Sequence, residues 1–327
     1  MKESLQKLFY AVLRSQTLSS NGKFLFVASN YGDIASFGLE KITTCIANIT
    51  NDDISDPIAI FKSSEKIFSL AFHREFLIVG SSCVVSGYSI TSNGHVSKKS
   101  WSIQLPISPE SSAMGEVNDL WVDSENDMIY AACGDSNVYV CSLEDGTFLR
   151  KLCGHKDYIH SVRGYDKLVV TASEDGTCQF HDQREKGVSF TLEPSSNPKI
   201  KRQNYGNWVG SASINREWVA TGGGPRLALY HLRNRQPFEV FDFPKEIHVT
   251  DFIDDNLLAG GESNLLCQYS FKGEIISEIE VSGPSVLSVV WQKTPDCKIL
   301  TACGASNSID VTTNFTYKDT TLNFYKN

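Results

Sequence analysis

The sequence predicts an all-β, seven-bladed β-propeller, and three observations carry that expectation. Short runs rich in Val, Ile, Phe and Tyr alternate with clusters of Gly, Asn, Asp and Ser, and long helical periodicity is absent. A two-strand unit with a tight central turn recurs seven times. Aligned on that turn, the seven units put Phe37, Tyr88, Cys141, His181, Tyr230, Tyr269 and Thr312 at one equivalent position, with spacings of 51, 53, 40, 49, 39 and 43 residues. Four strands of about five residues with their turns need roughly 40 residues, the period of one blade.

In chain order the units are FLFVASNYGDIASFGL, FLIVGSSCVVSGYSI, MIYAACGDSNVYVCSL, LVVTASEDGTCQFHDQ, WVATGGGPRLALYHL, LLAGGESNLLCQYSF and ILTACGASNSIDVTTN. In the fourth, Asp175-Gly176 supplies the residue types that a tight reversal needs. A further strand precedes each hairpin, as in VNDLWVD, YIHSVRG, NWVGSAS, HVTDFID and VLSVVWQ, and another follows, as in TFLRKLCG and PFEVFDF. Seven such blades close into a ring with only short edges, so residues 1–327 are expected to be one domain. The longer spacings place surface loop insertions at 40–66, 91–116 and 193–207, which are polar and rich in Ser, Asn and Pro. FYAVLRSQTL near the start and TTLNF near the end are the candidates to pair across the closure of the ring.

Composition narrows the function. Hydrophobic residues make up 41% and charged residues 21%, as in an ordinary soluble domain with a substantial core. The net charge of −8 argues against a surface built mainly to hold phosphate. None of the nine cysteines forms a C-x-x-C pair, and most sit in apolar runs, so they are expected to be reduced and buried. The apolar run near the amino terminus is broken by Arg14, too early for a signal peptide or a membrane span. No P-loop, G-x-S-x-G or H-E-x-x-H motif occurs. On the innermost strands Asp119, His160 and Asp251 are ionisable, and three scattered groups read as hydrogen-bonded positions. Catalysis, cofactor and small-molecule substrate are not expected.

The stretch GHKDYIH (154–160) sets His155, Asp157 and His160 close together. Metal binding would need three or four converging ligands, which one turn and one strand do not supply. GHKDYIHSVRGYDKLVVTASEDGTCQFHD resembles one repeat of the WD40 family, with Gly154-His155 at its head and His181-Asp182 where that family carries Trp-Asp. The resemblance implies a structural hydrogen-bonded network of His155, Thr171 and Asp175, with His181 in the place of the tryptophan. None of the other six equivalent positions carries tryptophan either, so these are degenerate repeats.

A narrower resemblance is to the THO complex subunit 6 family of the nuclear mRNA export machinery. It rests on LQKL, GKFL with SNYGDIASF, GHKDYIH with SEDGT, NWVGSASINREWVATGGGPRLALYHLR, and CKILTACG with IDVTTN, in order along nearly the whole chain. It implies a nuclear, non-catalytic scaffold whose partners are other THO subunits, especially the helical subunits five and seven, with RNA met indirectly and no membrane contact.

Partner contact through exposed aromatic or arginine anchors points to Trp101, Tyr205 and Arg226, in or beside loops. Lys199, Lys201, Arg202, Arg233 and Arg235 stand beside Tyr205 and Phe238, a mixture able to grip single-stranded RNA. Trp121, Trp208 and Trp291 lie in strand patterns and are expected in the core. HDQR (181–184) resembles a degenerate Trp-Asp-x-Arg box of cullin-type ubiquitin-ligase substrate receptors, which would make Arg184 the docking residue and gives the alternative function.

Overall fold

The computed structural model describes residues 2–48, 55–107, 115–295 and 297–326. Seven four-stranded sheets follow one another, each made of consecutive strands in chain order. The first holds β1 (Leu13–Leu18), β2 (Phe24–Ser29), β3 (Asp33–Gly38) and β4 (Ala59–Lys62). The second holds β5 (Ser69–His73), β6 (Phe76–Gly80), β7 (Val84–Ile90) and β8 (Val96–Gln104). Then come β9 (Val117–Asp123), β10 (Met128–Cys133), β11 (Val138–Ser142) and β12 (Phe148–Leu152), followed by β13 (Ile159–Tyr165), β14 (Leu168–Ser173), β15 (Cys178–Asp182) and β16 (Phe190–Leu192). The fifth is β17 (Val209–Ile214), β18 (Trp218–Gly223), β19 (Leu227–His231) and β20 (Pro237–Phe241). The sixth is β21 (Ile247–Ile253), β22 (Asn256–Gly261), β23 (Leu265–Ser270) and β24 (Ile275–Glu280), and the seventh β25 (Val286–Lys293), β26 (Lys298–Gly304), β27 (Ser308–Thr312) and β28 (Thr320–Asn323). The fold is the seven-bladed β-propeller that the repeats predict.

The seven equivalent side chains all sit on third strands, and all seven are buried. Six pair in register with an apolar residue of the second strand: Leu25, Leu77, Ile129, Val169, Val219 and Leu300. Adjacent buried side chains on one pleated face stabilise these hairpins, and the spacing in the sequence reports that face. The first strand of six blades carries a one-residue bulge near its start, at Arg14, Asn118, His160, Gly210, His248 and Leu287.

The chain divides into two compact units. One comprises Met1–Ser102, Asn264–Leu266 and Ser277–Asn327. In it Leu13, Leu25, Val27 and Phe37 of the first blade form one buried cluster with Ile299, Ile309, Val311 and Leu322 of the last. The expected pairing of strands from the two termini is not made: β1 pairs with β2, and β28 with β27. Side chains join these two blades instead. Buried Gln16 donates to the carbonyls of Ser288 and Thr301 and accepts from the Thr301 hydroxyl at 2.8 Å. The Tyr325 hydroxyl donates to Asp33 at 2.7 Å, and Lys7 of helix α1 (Lys2–Tyr10) forms an ion pair with the same carboxylate at 2.8 Å.

Two of the three stretches expected as loops carry regular structure. Within 40–66 lie most of helix α2 (Leu39–Asn48) and all of β4. Leu39, Ile42 and Cys45 fall on one helical face and are buried, Leu39 and Ile42 within the core shared by the first and last blades, which outweighs the polar Thr and Asn around them. Within 91–116 lies β8, the fourth strand of its blade. Residues 49–54 and 108–114 are outside the described residues. The stretch 193–207 is irregular apart from a 3-10 turn at Pro194–Ser196, and its Ile200 is fully buried.

The second unit is Ile103–Ser263 with Cys267–Ile276. Its buried clusters gather Tyr130, Val138, Ile159 and Val169, and then Val170, Phe180, Ile200, Val209, Val219 and Tyr230. None of the nine cysteines forms a disulfide; six are buried, with Cys83 and Cys297 half-buried and Cys153 exposed. No helix of the described residues is long and apolar enough to cross a membrane.

Candidate functional site: a blade network and its neighbours

The His155 network is built from the turn before β13 and the hairpin β14–β15. Gly154 takes a φ of +155°, where a Cβ would meet Gln179 at 2.2 Å, so glycine lets the chain turn tightly over the third strand. His155, buried beside that turn, has Nδ1 2.9 Å from Asp175 and Nε2 2.8 Å from the Thr171 hydroxyl. Asp175 also accepts from the main-chain N–H groups of Lys156 and Thr177 at 2.9 Å and from the Thr177 hydroxyl at 2.7 Å. Burial alone would raise this carboxyl. The hydrogen bonds from His155, Thr177 and Lys156 outweigh it and hold the group well below the usual carboxylate range. A carboxylate accepts only, so His155 Nδ1 carries the proton in that bond. His181 stands apart from these three. Its Nδ1 meets the Gly187 carbonyl at 3.2 Å, and burial, against that bond, depresses it to about 4.

Of the basic residues read as RNA contacts, Arg202 is committed elsewhere. Its guanidinium donates to the carbonyls of Gly224 (2.7 Å), Lys245 (2.8 Å), Gly223, Phe243 and Pro225, and lies 4.4 Å from the Tyr205 ring centroid. Arg235 lies 4.1 Å from the Phe190 ring centroid. Lys199, Lys201 and Arg233 are exposed. Arg226 holds the 193–207 stretch, donating to the carbonyls of Lys199 and Lys201 and pairing with Asp242 at 3.3 Å.

Trp101 is half-buried on β8. It lies over Gly87, where an added Cβ would come within 2.0 Å, and meets Phe76 edge-on at 6.1 Å. Trp121, Trp208 and Trp291, expected in the core, are half-buried. Trp121 covers Gly164 of the next blade and tilts against Tyr130 at 4.9 Å, so it closes a seam between blades. It also lines a cleft of about 810 Å³ with Tyr165, Leu168, Ile214, Leu232 and Arg184. Arg184 is 72% exposed and braced by Asp182 through bonds of 2.9 and 2.6 Å.

Asp119, His160 and Asp251 are engaged separately. Asp119 accepts from Val162 N–H and pairs with Arg163, His160 pairs with Glu174 at 2.8 Å, and Asp251 accepts the Phe252 N–H. Among the described residues no group of three or more His, Cys, Asp or Glu is arranged to hold a metal ion. Sequence reasoning missed that His248 and Glu262 repeat the pair of His160 and Glu174. The signal lies in the sequence: HSVRGYDKLVVTASE (160–174) and HVTDFIDDNLLAGGE (248–262) set a histidine and a glutamate 14 positions apart in two blades.

Seven blades of four strands, with one histidine–aspartate–threonine network fixing a blade, define a propeller of the WD40 class. Its fold is similar to the WD40 β-propeller domain of Doa1, with a TM-score of 0.69 over 92% of each chain at 12% identity. The chain belongs to the THO complex subunit 6 family: it is 33% identical to the Drosophila melanogaster protein of that name over all of its own length and 93% of that protein. It is 32% identical to the Homo sapiens protein over 98% of its own length and 95% of that protein. A zebrafish (Danio rerio) homologue is 26% identical, with 97% and 99% covered. No protein-family model matches the chain.

Proposed function

We propose that this chain is the propeller subunit of a THO complex, a non-catalytic nuclear scaffold for mRNA processing and export. It docks on the helical subunits five and seven and supports assembly of the complex. The full-length likeness to proteins named THO complex subunit 6 carries this reading. The commitment of its polar groups is consistent with it, since His155, Asp175, Arg202 and Arg226 are engaged in holding strands and loops. Partner contact is assigned to the surface that holds Tyr205 and Arg226 and to Trp101, and any RNA contact to the exposed Lys199, Lys201 and Arg233. A second reading, a cullin-type substrate receptor, rests on the exposed Arg184.

Affinity purification of the tagged chain from nuclear extract, with and without nuclease, tests the assignment. Recovery of the helical THO subunits in both samples is expected. A cullin adaptor in their place, lost in an Arg184→Ala variant, would overturn it in favour of the second reading.

A further inference from the structure

The geometry points to a binding site for a cationic side chain, arginine or lysine, presented by a partner protein at the starts of the fourth, fifth and sixth blades. At its centre is the Trp208 indole. It stacks on the His248 ring at 5.5 Å and 27°, and the His160 ring meets it edge-on at 6.0 Å. Each imidazole is bonded through Nε2 to a glutamate on the neighbouring hairpin: His160 to Glu174 at 2.8 Å and His248 to Glu262 at 2.9 Å. The two pairs occupy the same place in their blades, bulge residue to the residue just after the second strand.

The fifth blade, between them, has glycine at both of those places, Gly210 and Gly224. A Cβ at Gly210 would stand 2.5 Å from the Trp208 ring, and one at Gly224 would stand 2.2 Å from the Tyr205 carbonyl. The glycines clear the backbone so that an aromatic from the preceding segment can lie where the neighbouring blades carry a histidine pair. A half-exposed indole flanked by two imidazoles, each carrying a glutamate, fits a cation. Glu174 and Glu262 are 45% and 49% exposed, and each uses one oxygen for its histidine. The other oxygen of each makes no hydrogen bond among the described residues and is free to accept from a guanidinium or ammonium group. An indole attracts such a group through its ring quadrupole, and the carboxylates strengthen that attraction. The same charge repels a nucleic-acid backbone, so this site goes beyond the THO assignment and is separate from Lys199, Lys201 and Arg233.

The probe is a capped Gly-Arg-Gly-Arg-Gly peptide titrated calorimetrically into the full chain at low salt, beside the same peptide with neutral citrulline in place of arginine. Binding of the arginine peptide alone is expected. Glu174→Gln with Glu262→Gln, an isosteric pair of changes, is expected to weaken it about tenfold, as for loss of two charge-assisted contacts. A matched pair at exposed positions, Glu144→Gln with Glu185→Gln, changes the net charge equally and is expected to leave the affinity within about twofold. Trp208→Phe, which keeps a ring over Gly210, is expected to weaken binding less than the glutamate pair. Absence of binding, equal binding of the citrulline peptide, or equal loss in the matched pair would each overturn the assignment.

Discussion

The hydroxyl of Ser211, one residue past the bulge in β17, accepts the main-chain N–H of Thr250 in β21 at 3.0 Å, and the two side-chain oxygens are also 3.0 Å apart. The same position does the same work in three other blades. Ser15 accepts from Leu70 N–H at 2.9 Å, Asp119 from Val162 N–H at 2.9 Å, and Ser288 from Gln16 N–H at 3.2 Å. The first strand of a blade pairs with the second along one edge and leaves its other edge without a strand partner. A bulge re-aims the next side chain, and here it supplies an acceptor for the orphaned donors of the following blade.

Ser211→Ala therefore strands a buried N–H and a buried hydroxyl together. The expected loss is about 1–3 kcal/mol, the cost of an unsatisfied buried donor. A urea denaturation midpoint, compared with a control substitution at the exposed Ser196, checks it. An unchanged midpoint would mean that water satisfies the seam.

How much of this was legible in the sequence depended on whether a residue's role was local. The turn and the third-strand position repeat because each hairpin needs them, so the blades could be counted. His155, Thr171 and Asp175 were expected together only through the resemblance to a WD40 repeat, and the turn and strand that hold them lie within about 20 residues of one another. The structural bonds of Arg202 were not legible because its five acceptors lie 21 to 43 residues away, at the β18–β19 turn and in the link between β20 and β21. Trp121 was misread because alternation tells which face a residue occupies, and only the neighbouring Gly164 decides how far that face is covered. Helix α2 was missed because its buried residues Leu39, Ile42 and Cys45 are few, and the core that receives Leu39 and Ile42 comes partly from the other end of the chain.

Removing His155 takes two partners from a buried network at once. His155→Ala is expected to cost about 2–4 kcal/mol, since Asp175 keeps its main-chain and Thr177 bonds but loses one charge-assisted contact. The pH dependence has a defined sign. The folded Asp175 carboxyl lies below its unfolded value near 3.9, so its contribution is complete above about pH 4 and is lost as the pH falls further. Asp175→Asn should lower stability at neutral pH and flatten the acid limb of a stability–pH curve. A parallel acid limb in the variant would show that other carboxylates dominate it.

His181 acts in a separate window. Its folded value of about 4 lies below the unfolded 6.5, so the unfolded chain takes up the proton first. Stability is complete above about pH 6.5 and declines as the pH falls towards 4. The whole gap is worth at most about 3 kcal/mol. NMR titration of the His181 ring, alongside denaturation midpoints at pH 7 and pH 5, checks the assignment. A ring that titrates near 6.5 in the folded protein would remove the effect.

Arg202 gives the sharpest contrast between a basic residue as ligand contact and as structural pin. Its Nε, Nη1 and Nη2 reach five main-chain carbonyls, one set from Gly223, Gly224 and Pro225 and the other from Phe243 and Lys245, while Tyr205 covers the guanidinium. Lysine at this place keeps the charge but has three donors on a compact head, and it cannot span both sets in the geometry of the planar fork. Arg202→Lys should therefore release the 193–207 stretch, where Lys199 and Lys201 are already exposed on the surface. Tryptic cleavage after those lysines is expected to quicken several-fold, as a local opening that becomes cheaper by about 1–2 kcal/mol. A phosphate contact predicts the reverse pattern, with cleavage unchanged and affinity for single-stranded RNA reduced. Arg202→Lys that keeps the wild-type cleavage rate would show that the charge, and not the fork of hydrogen bonds, is what this position supplies.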